Sequence, residues 1–210
     1  MTAQPRSMTA TVDRVDVRED DDAARPQRAD ARRNHERLVA AARNVFAEEG
    51  GGASMEAIAR EAGVGVGTLY RHFPKRIDVV EAVYREDVDE LVSVAESVVA
   101  DLEPWPALVT WLEAFVRYAS GKRRFLNELH EAFEKNPELR VESRERIEGA
   151  LSIVLTPAQE TGEVRTDLDG HDLMQLLGSM CMSATLTPDQ SSRLLVMIED
   201  GLRPRQQGSD

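Results

Sequence analysis

Residues 54–73 read SMEAIAREAGVGVGTLYRHF, set between Gly50-Gly51-Gly52 and Pro74-Lys75-Arg76. The spacing predicts two short helices joined by a tight turn. Ser54 can accept a hydrogen bond from an orphan amide of the first turn, and Glu56 places a carboxylate at the positive end of the helix dipole. Met55, Ile58, Ala59 and Ala62 recur at i, i+3, i+4 and i+7, so one face is apolar. Gly63 stands where a helix end wants positive φ, and Gly63-Val64-Gly65-Val66 has the length of the turn in a helix-turn-helix. A second helix is expected from about Gly67 to His72, with Leu69 and Phe73 packing inward. That leaves Thr68, Tyr70, Arg71 and His72 for the outer faces. Their hydroxyl, phenol, guanidinium and imidazole groups are of the kind that bond phosphate oxygens and base edges.

Two helices this short bury too little to stand alone, so a third is required. Asn34 to Glu49 supplies it through Leu38, Ala41, Ala42, Val45 and Phe46, and Gly50 ends it. From Arg76 to about Leu102 a near-3.6 apolar period continues without Pro or Gly, so one long helix should begin in the small core and finish in a second one. Glu103-Pro104-Trp105-Pro106 stops it. Further helices are expected over Pro106 to Ser120 and Lys122 to Lys135. Another starts at Asn136-Pro137 and is kinked or ended at Thr156-Pro157, and one runs from Asp169 to about Ala184. Thr187-Pro188-Asp189-Gln190 is a capping box with proline at the first position, opening a last helix to about Gly201. No period-2 strand pattern occurs. The expected fold is all-α with about nine helices: a three-helix head over residues 31–84 carrying the motif at 54–73, and a larger helical domain over 85–203. Residues 1–30, poor in large apolar side chains, are expected to be disordered, and residues 204–210 form a short tail.

The net charge of −12 fits a nucleic-acid binder only when divided by region. Residues 1–30 carry net −2, residues 31–85 net +2 and residues 86–210 net −12. A weakly basic head on an acidic body favours approach to a polyanion by the head. No run of about 18 apolar residues exists, so no membrane span is expected, and the N-terminal sequence lacks the apolar core of a secretory signal. A cytoplasmic location follows as an expectation. Cys181 has no companion for a disulfide or a zinc site, and neither His130 nor His171 has a second ligand at helical spacing. No metal, cofactor or catalytic set is expected.

Phe46 ahead of the glycines, Ile58-Ala59, Ala62-Gly63-Val64, Gly67-Thr68-Leu69-Tyr70 and His72-Phe73-Pro74 together resemble the bacterial TetR family of transcriptional regulators. The signature covers roughly Arg33 to Tyr84. Trp111-Leu112 with Phe115-Val116, and Gly162-Glu163-Val164-Arg165, are more loosely similar to the C-terminal domains of the SbtR-like subgroup. The resemblance implies a homodimer on palindromic double-stranded operator DNA, acting as a repressor released by a small-molecule ligand. The alternative is an architectural or activating DNA binder without an inducer. By position it implies Ser54 on a phosphate, Gly65, Val66 and Gly67 at close approach to DNA, and Thr68, Tyr70, Arg71 and His72 on bases or phosphates. A further phosphate contact falls to Lys75 or Arg76, since arginine stands where most members have lysine.

In the larger domain Trp111, Phe115, Tyr118, Phe125, Phe133, Met174 and Leu177 are core by default and candidates to line an apolar ligand pocket. Leu173, Met180, Leu194, Met197 and Ile198 are candidates for a dimer face, because the last helix is apolar on more than one side. Lys122-Arg123-Arg124 is expected on a solvated face, and Cys181 as a small buried hydrophobe.

Overall fold

The computed structural model describes residues 20–204 apart from 182, 184 and 185; for residues 20–29 and Arg124 it describes the backbone alone. The fold is all-α, as the periodicity predicts. Among the described residues there are nine α-helices and no strand: α1 Asp20–Glu49, α2 Met55–Glu61, α3 Val66–His72, α4 Arg76–Asp101, α5 Pro104–Lys122, α6 Leu126–Lys135, α7 Pro137–Glu160, α8 Gly170–Cys181 and α9 Pro188–Leu202. Single 3-10 turns occupy Gly50–Gly52 and Arg123–Phe125. No helix among the described residues is long and apolar enough to cross a membrane.

The chain divides into two compact units, residues 1–36 and residues 37–210. In the first, residues 20–30 of the stretch expected to be a disordered tail belong to α1; residues 1–19 lie outside the described part. The helix is continuous with the amphipathic run from Asn34, so it needs no nucleus of its own. Along it Arg33 pairs with Asp30, and Arg32 with Glu36 at 3.5 Å.

In the second unit the helix ends follow from local chemistry. Ser54 Oγ accepts from the Ala57 N–H at 3.0 Å and starts α2. Gly63 has φ +63°, and the N–H groups of Gly63 and Val64 donate to the carbonyls of Arg60 and Ala59, satisfying the last turn. The same pair of bonds ends α7 at Gly162, where φ is +75°. Asp169 and Asp172 cap one another's backbone N–H at the start of α8, and Thr187 with Gln190 form the expected box before α9. One proline expectation is corrected and one narrowed. α5 begins at Pro104, because a proline in the first turn lacks only an N–H that would be orphaned anyway. α7 continues through Pro157 to Glu160, so of the two effects expected there, a kink or an end, the proline does not end the helix; the carbonyl it leaves without its usual donor belongs to Ile153.

One continuous core runs from Leu38, Phe46 and Ile58 through Val80, Val83 and Val88 of α4 to Trp111, Leu151 and Leu177. α4 packs against α5, α6 and α7 and is the wall these helices share. Trp111 is fully buried, with its indole N–H donating to the Leu91 carbonyl at 3.1 Å, so its one polar atom is satisfied. The far end is fastened by the Arg203 guanidinium, 3.5 Å from the Trp105 ring centroid, and by the Arg165 N–H donating to the Leu202 carbonyl at 2.9 Å.

Candidate functional site

α3 has one buried edge and one open face. Leu69 and Phe73 are buried against the core, whereas Tyr70 is 43% and Val66 39% exposed, one turn apart. Arg71 is exposed, and Thr68 and His72 are half-buried. Gly65 caps the helix with φ −69°, a value open to any residue, and its carbonyl accepts from the Thr68 and Leu69 N–H groups. A Cβ at Gly65 or Gly67 would meet nothing within 4 Å. Neither backbone strain nor crowding within the chain therefore requires glycine at these two places. α2 is braced from behind by Arg37, whose guanidinium donates to the Ala62 carbonyl at 2.5 Å.

Lys75 and Arg76, alternatives by sequence, stand in different surroundings. Lys75 is exposed, and its backbone N–H donates to Asp78 Oδ2 at 2.8 Å to open α4. Arg76 is half-buried: it donates to the carbonyls of Ala53 and Gly51, stands 3.5 Å from Glu128 of α6, and lies over the Phe46 ring. Phe46 in turn stacks on Phe125 with centroids 5.2 Å apart. Nothing in the local sequence around Arg76 signalled these partners, which lie 23, 25 and 52 residues away.

A cavity of about 470 Å³ is bounded by α4, α5, α6, α7 and α8. Of the residues expected to line a pocket, Phe115, Tyr118, Phe133 and Met174 do so. Trp111 and Leu177 are fully buried core, and Phe125 faces the head through Phe46. The wall also contains residues that the apolar pattern did not suggest. Lys122, expected on a solvated face, is partly buried, its Nζ 3.2 Å from the Tyr118 ring centroid and 4.2 Å from that of Tyr84. Arg123, from the same run, donates to the carbonyls of Ser183 and Leu186 at 3.1 and 3.0 Å; the Arg124 side chain lies outside the described part. A helix C-terminus turned inward accounts for both corrections.

Burial pushes the Lys122 ammonium well below its ordinary value, with the carboxylate of Asp87 pulling the other way. Burial likewise raises Tyr84, partly offset by a hydrogen bond with Ser143, and raises Asp87 against the pull of Arg43, 2.7 Å away. Cys181 is buried and its thiol is pushed up by desolvation, which keeps it protonated and small-hydrophobe-like. Tyr118 Oη and Arg43 Nε are the buried side-chain polar atoms without a hydrogen-bond partner among the described residues. An unmet buried hydroxyl costs about 1–3 kcal/mol.

The five residues expected on a dimer face, Leu173, Met180, Leu194, Met197 and Ile198, line one apolar groove between α8 and α9. Leu173 forms its buried floor, and Met197 is 67% exposed; Leu176 at 52%, missed by the sequence pattern, extends it.

The family model for bacterial regulatory proteins of the tetR family matches residues 38–83, and the model for the SbtR-like transcriptional regulator C-terminal domain matches residues 103–204. A TetR transcriptional regulator from Streptomyces coelicolor is 38% identical, superposes with a TM-score of 0.72, and is matched over 82% of this chain and 99% of its own. A TetR transcription regulatory protein from Mycobacterium vanbaalenii is 36% identical with a TM-score of 0.67, over 85% of this chain and 100% of its own. An HTH-type transcriptional regulator of Staphylococcus aureus strain USA300 is 42% identical over 67 residues, which is 31% of this chain and 36% of that protein. The chain thus spans about a third of the length of the curated relatives it matches. Together with the helix-turn-helix at Ser54 to Phe73 and the all-helical body behind it, these likenesses place the chain in the TetR family of helix-turn-helix, DNA-binding transcriptional regulators.

Proposed function

We propose that this regulator is a homodimeric repressor that binds palindromic operator DNA and is released by a small molecule taken into the cavity of the larger domain. The observation that carries the reading is α4: Val79, Val80 and Val83 of its first turns share one core with Leu69 and Phe73 of the recognition helix, and Tyr84 beside them lines the cavity. Residues 31–84 act as the DNA-binding head and residues 85–203 as the ligand and dimer domain. In the head, Tyr70 and Arg71 read bases or phosphates, with Thr68 and His72 beside them, and Ser54 and Lys75 contact phosphate. Gly65, Val66 and Gly67 let the start of α3 approach the duplex closely. Arg76 instead holds the head to α6, leaving the phosphate contact to Lys75.

Pairing of two copies through the α8–α9 groove would set two recognition helices in successive major grooves, about 34–36 Å apart. A ligand changes operator affinity only by its differential binding to the two arrangements of the heads. Selection of bound DNA from a random pool, followed by gel-shift, tests the reading. Tyr70→Ala and Arg71→Ala should each abolish binding while gel filtration still shows a dimer. Unchanged binding sinks the assignment of α3, and recovery of a non-palindromic site sinks the symmetric dimer.

A further inference from the structure

The cavity wall is charged against the grain of the molecule. The chain carries a net charge of −12, yet the lining holds Lys122, Arg123, Arg140 and Arg144 with His130, against the single carboxylate of Glu148. Most of these charges are already engaged. Glu148 is paired with Arg144 at 2.8 Å, His130 lies 3.6 Å from Glu134, and Arg123 is held by two backbone carbonyls. Among the described residues, no carboxylate comes within ion-pair distance of Lys122 or Arg140. The Lys122 ammonium lies over the faces of both Tyr84 and Tyr118, and the Tyr118 hydroxyl is buried without a partner among the described residues. The rest of the wall is apolar, through Phe115, Leu129, Ile147 and Met174.

From this arrangement we infer that the cavity takes an organic anion, with a carboxylate head received by Lys122 and an apolar body lying along Phe115, Leu129, Ile147 and Met174. Asp87 acts on the lysine only from beyond ion-pair distance and is itself paired with Arg43 at 2.7 Å, so an oxyanion would give Lys122 a counter-charge in direct contact, in a site of low dielectric where charge-assisted hydrogen bonds are strongest, and can accept from the orphaned phenol. A cation is the alternative that two tyrosine faces would suggest. Lys122 already occupies those faces, and four lysine and arginine side chains in the wall repel a second positive charge. The inference rests on the reading of this cavity as the effector site.

Calorimetric titration of the full chain with decanoate, 1-decanol and decyltrimethylammonium tests the ligand class. Decanoate should bind roughly tenfold or more tightly than 1-decanol, the difference being one charge-assisted contact, and the ammonium should not bind. Lys122→Met should bring decanoate down to the level of the alcohol, while Lys122→Arg, which keeps the charge, retains the preference. Absence of decanoate binding, equal binding of carboxylate and alcohol, or an undiminished preference in Lys122→Met overturns the proposal. A gel-shift on the selected operator separates this from the broader reading. Decanoate that binds through Lys122 without releasing DNA leaves the ligand class standing and defeats the inducer role. Release by the alcohol or the ammonium, without preference for the carboxylate, does the reverse.

Discussion

The guanidinium of Arg76 lies 5.3 Å from the centroid of the Phe46 ring while its nitrogens donate to the carbonyls of Ala53 and Gly51, so one side chain closes the loop that opens the helix-turn-helix. A lysine has neither the planar face nor the fork for this. Arg76→Lys should therefore lower stability by about 1–2 kcal/mol in urea unfolding, through lost bonds to the part-buried Ala53 carbonyl and the exposed Gly51 carbonyl. Lys75→Ala, by contrast, should leave the unfolding midpoint unchanged and reduce the salt slope of operator binding by about one per protomer, as the loss of one phosphate contact requires.

Gly67 separates folding from function. It sits inside α3 with open space around it, so Gly67→Ala should raise stability by roughly 0.5–1 kcal/mol through reduced chain entropy. The same methyl group should weaken operator binding if the helix start must approach DNA closely. A thermal melt and a gel-shift on one variant check both signs.

Gly63 behaves oppositely. Its φ of +63° and the approach of Arg37 Nη2 to within 3.0 Å of a Cβ make any side chain strained and crowded there. Gly63→Val should cost about 2 kcal/mol or more, read as a loss in both melting temperature and DNA affinity.

Much of this was legible before the structure because capping chemistry is local. Ser54 and Ala57, Thr187 and Gln190, and Gly63 with its two carbonyls lie within a turn of one another, and residue type alone implies their geometry. The stripe of Leu69 and Phe73 likewise implied which side of α3 stays open. Lys122 was not legible, since helical periodicity tells an apolar face from a charged one but not that a basic run will be folded back between two tyrosines. Arg76 was ambiguous for a related reason: its partners come from the turn before α2 and from α6, far along the chain. Among the expected pocket residues, Phe125 could not be told from Phe133 by pattern. Both are inward aromatics, but Phe125 stacks on Phe46 whereas Phe133 meets Tyr84 edge-on at 5.1 Å.

Lys122 also predicts a pH signature. Tyr84 and Asp87 of α4 and Tyr118 of α5 face it, and burial holds its folded pKa well below the unfolded value of 10.5. Between those two values the unfolded chain binds the extra proton, so this residue makes stability rise with pH across that window. Lys122→Met should melt a few degrees higher than the parent, at about 2–4 °C per kcal/mol in a chain of this size, with the gain largest at low pH and shrinking as pH climbs toward 10.5. A gap independent of pH would contradict the burial of an ionisable amine.

If the α8–α9 groove joins two copies, Met197→Glu should convert the dimer to a monomer in analytical ultracentrifugation, because Met197 is 67% exposed in the single chain and a carboxylate there would be buried opposite its own copy. The melting temperature at high dilution should change little, since the side chain makes no part of the internal core.

The unbroken core that reaches from Leu38 to Leu177 makes the head and the body a single cooperative element. Calorimetry should show one transition rather than two, and amides of α2 and α3 should exchange no faster than the global opening of α4 allows. A molecule that tightens the body alone would then slow exchange in the recognition helix at a distance. Cavity occupancy would then reach the DNA-reading surface as a change in how often it opens, alongside any shift between the two arrangements of the heads.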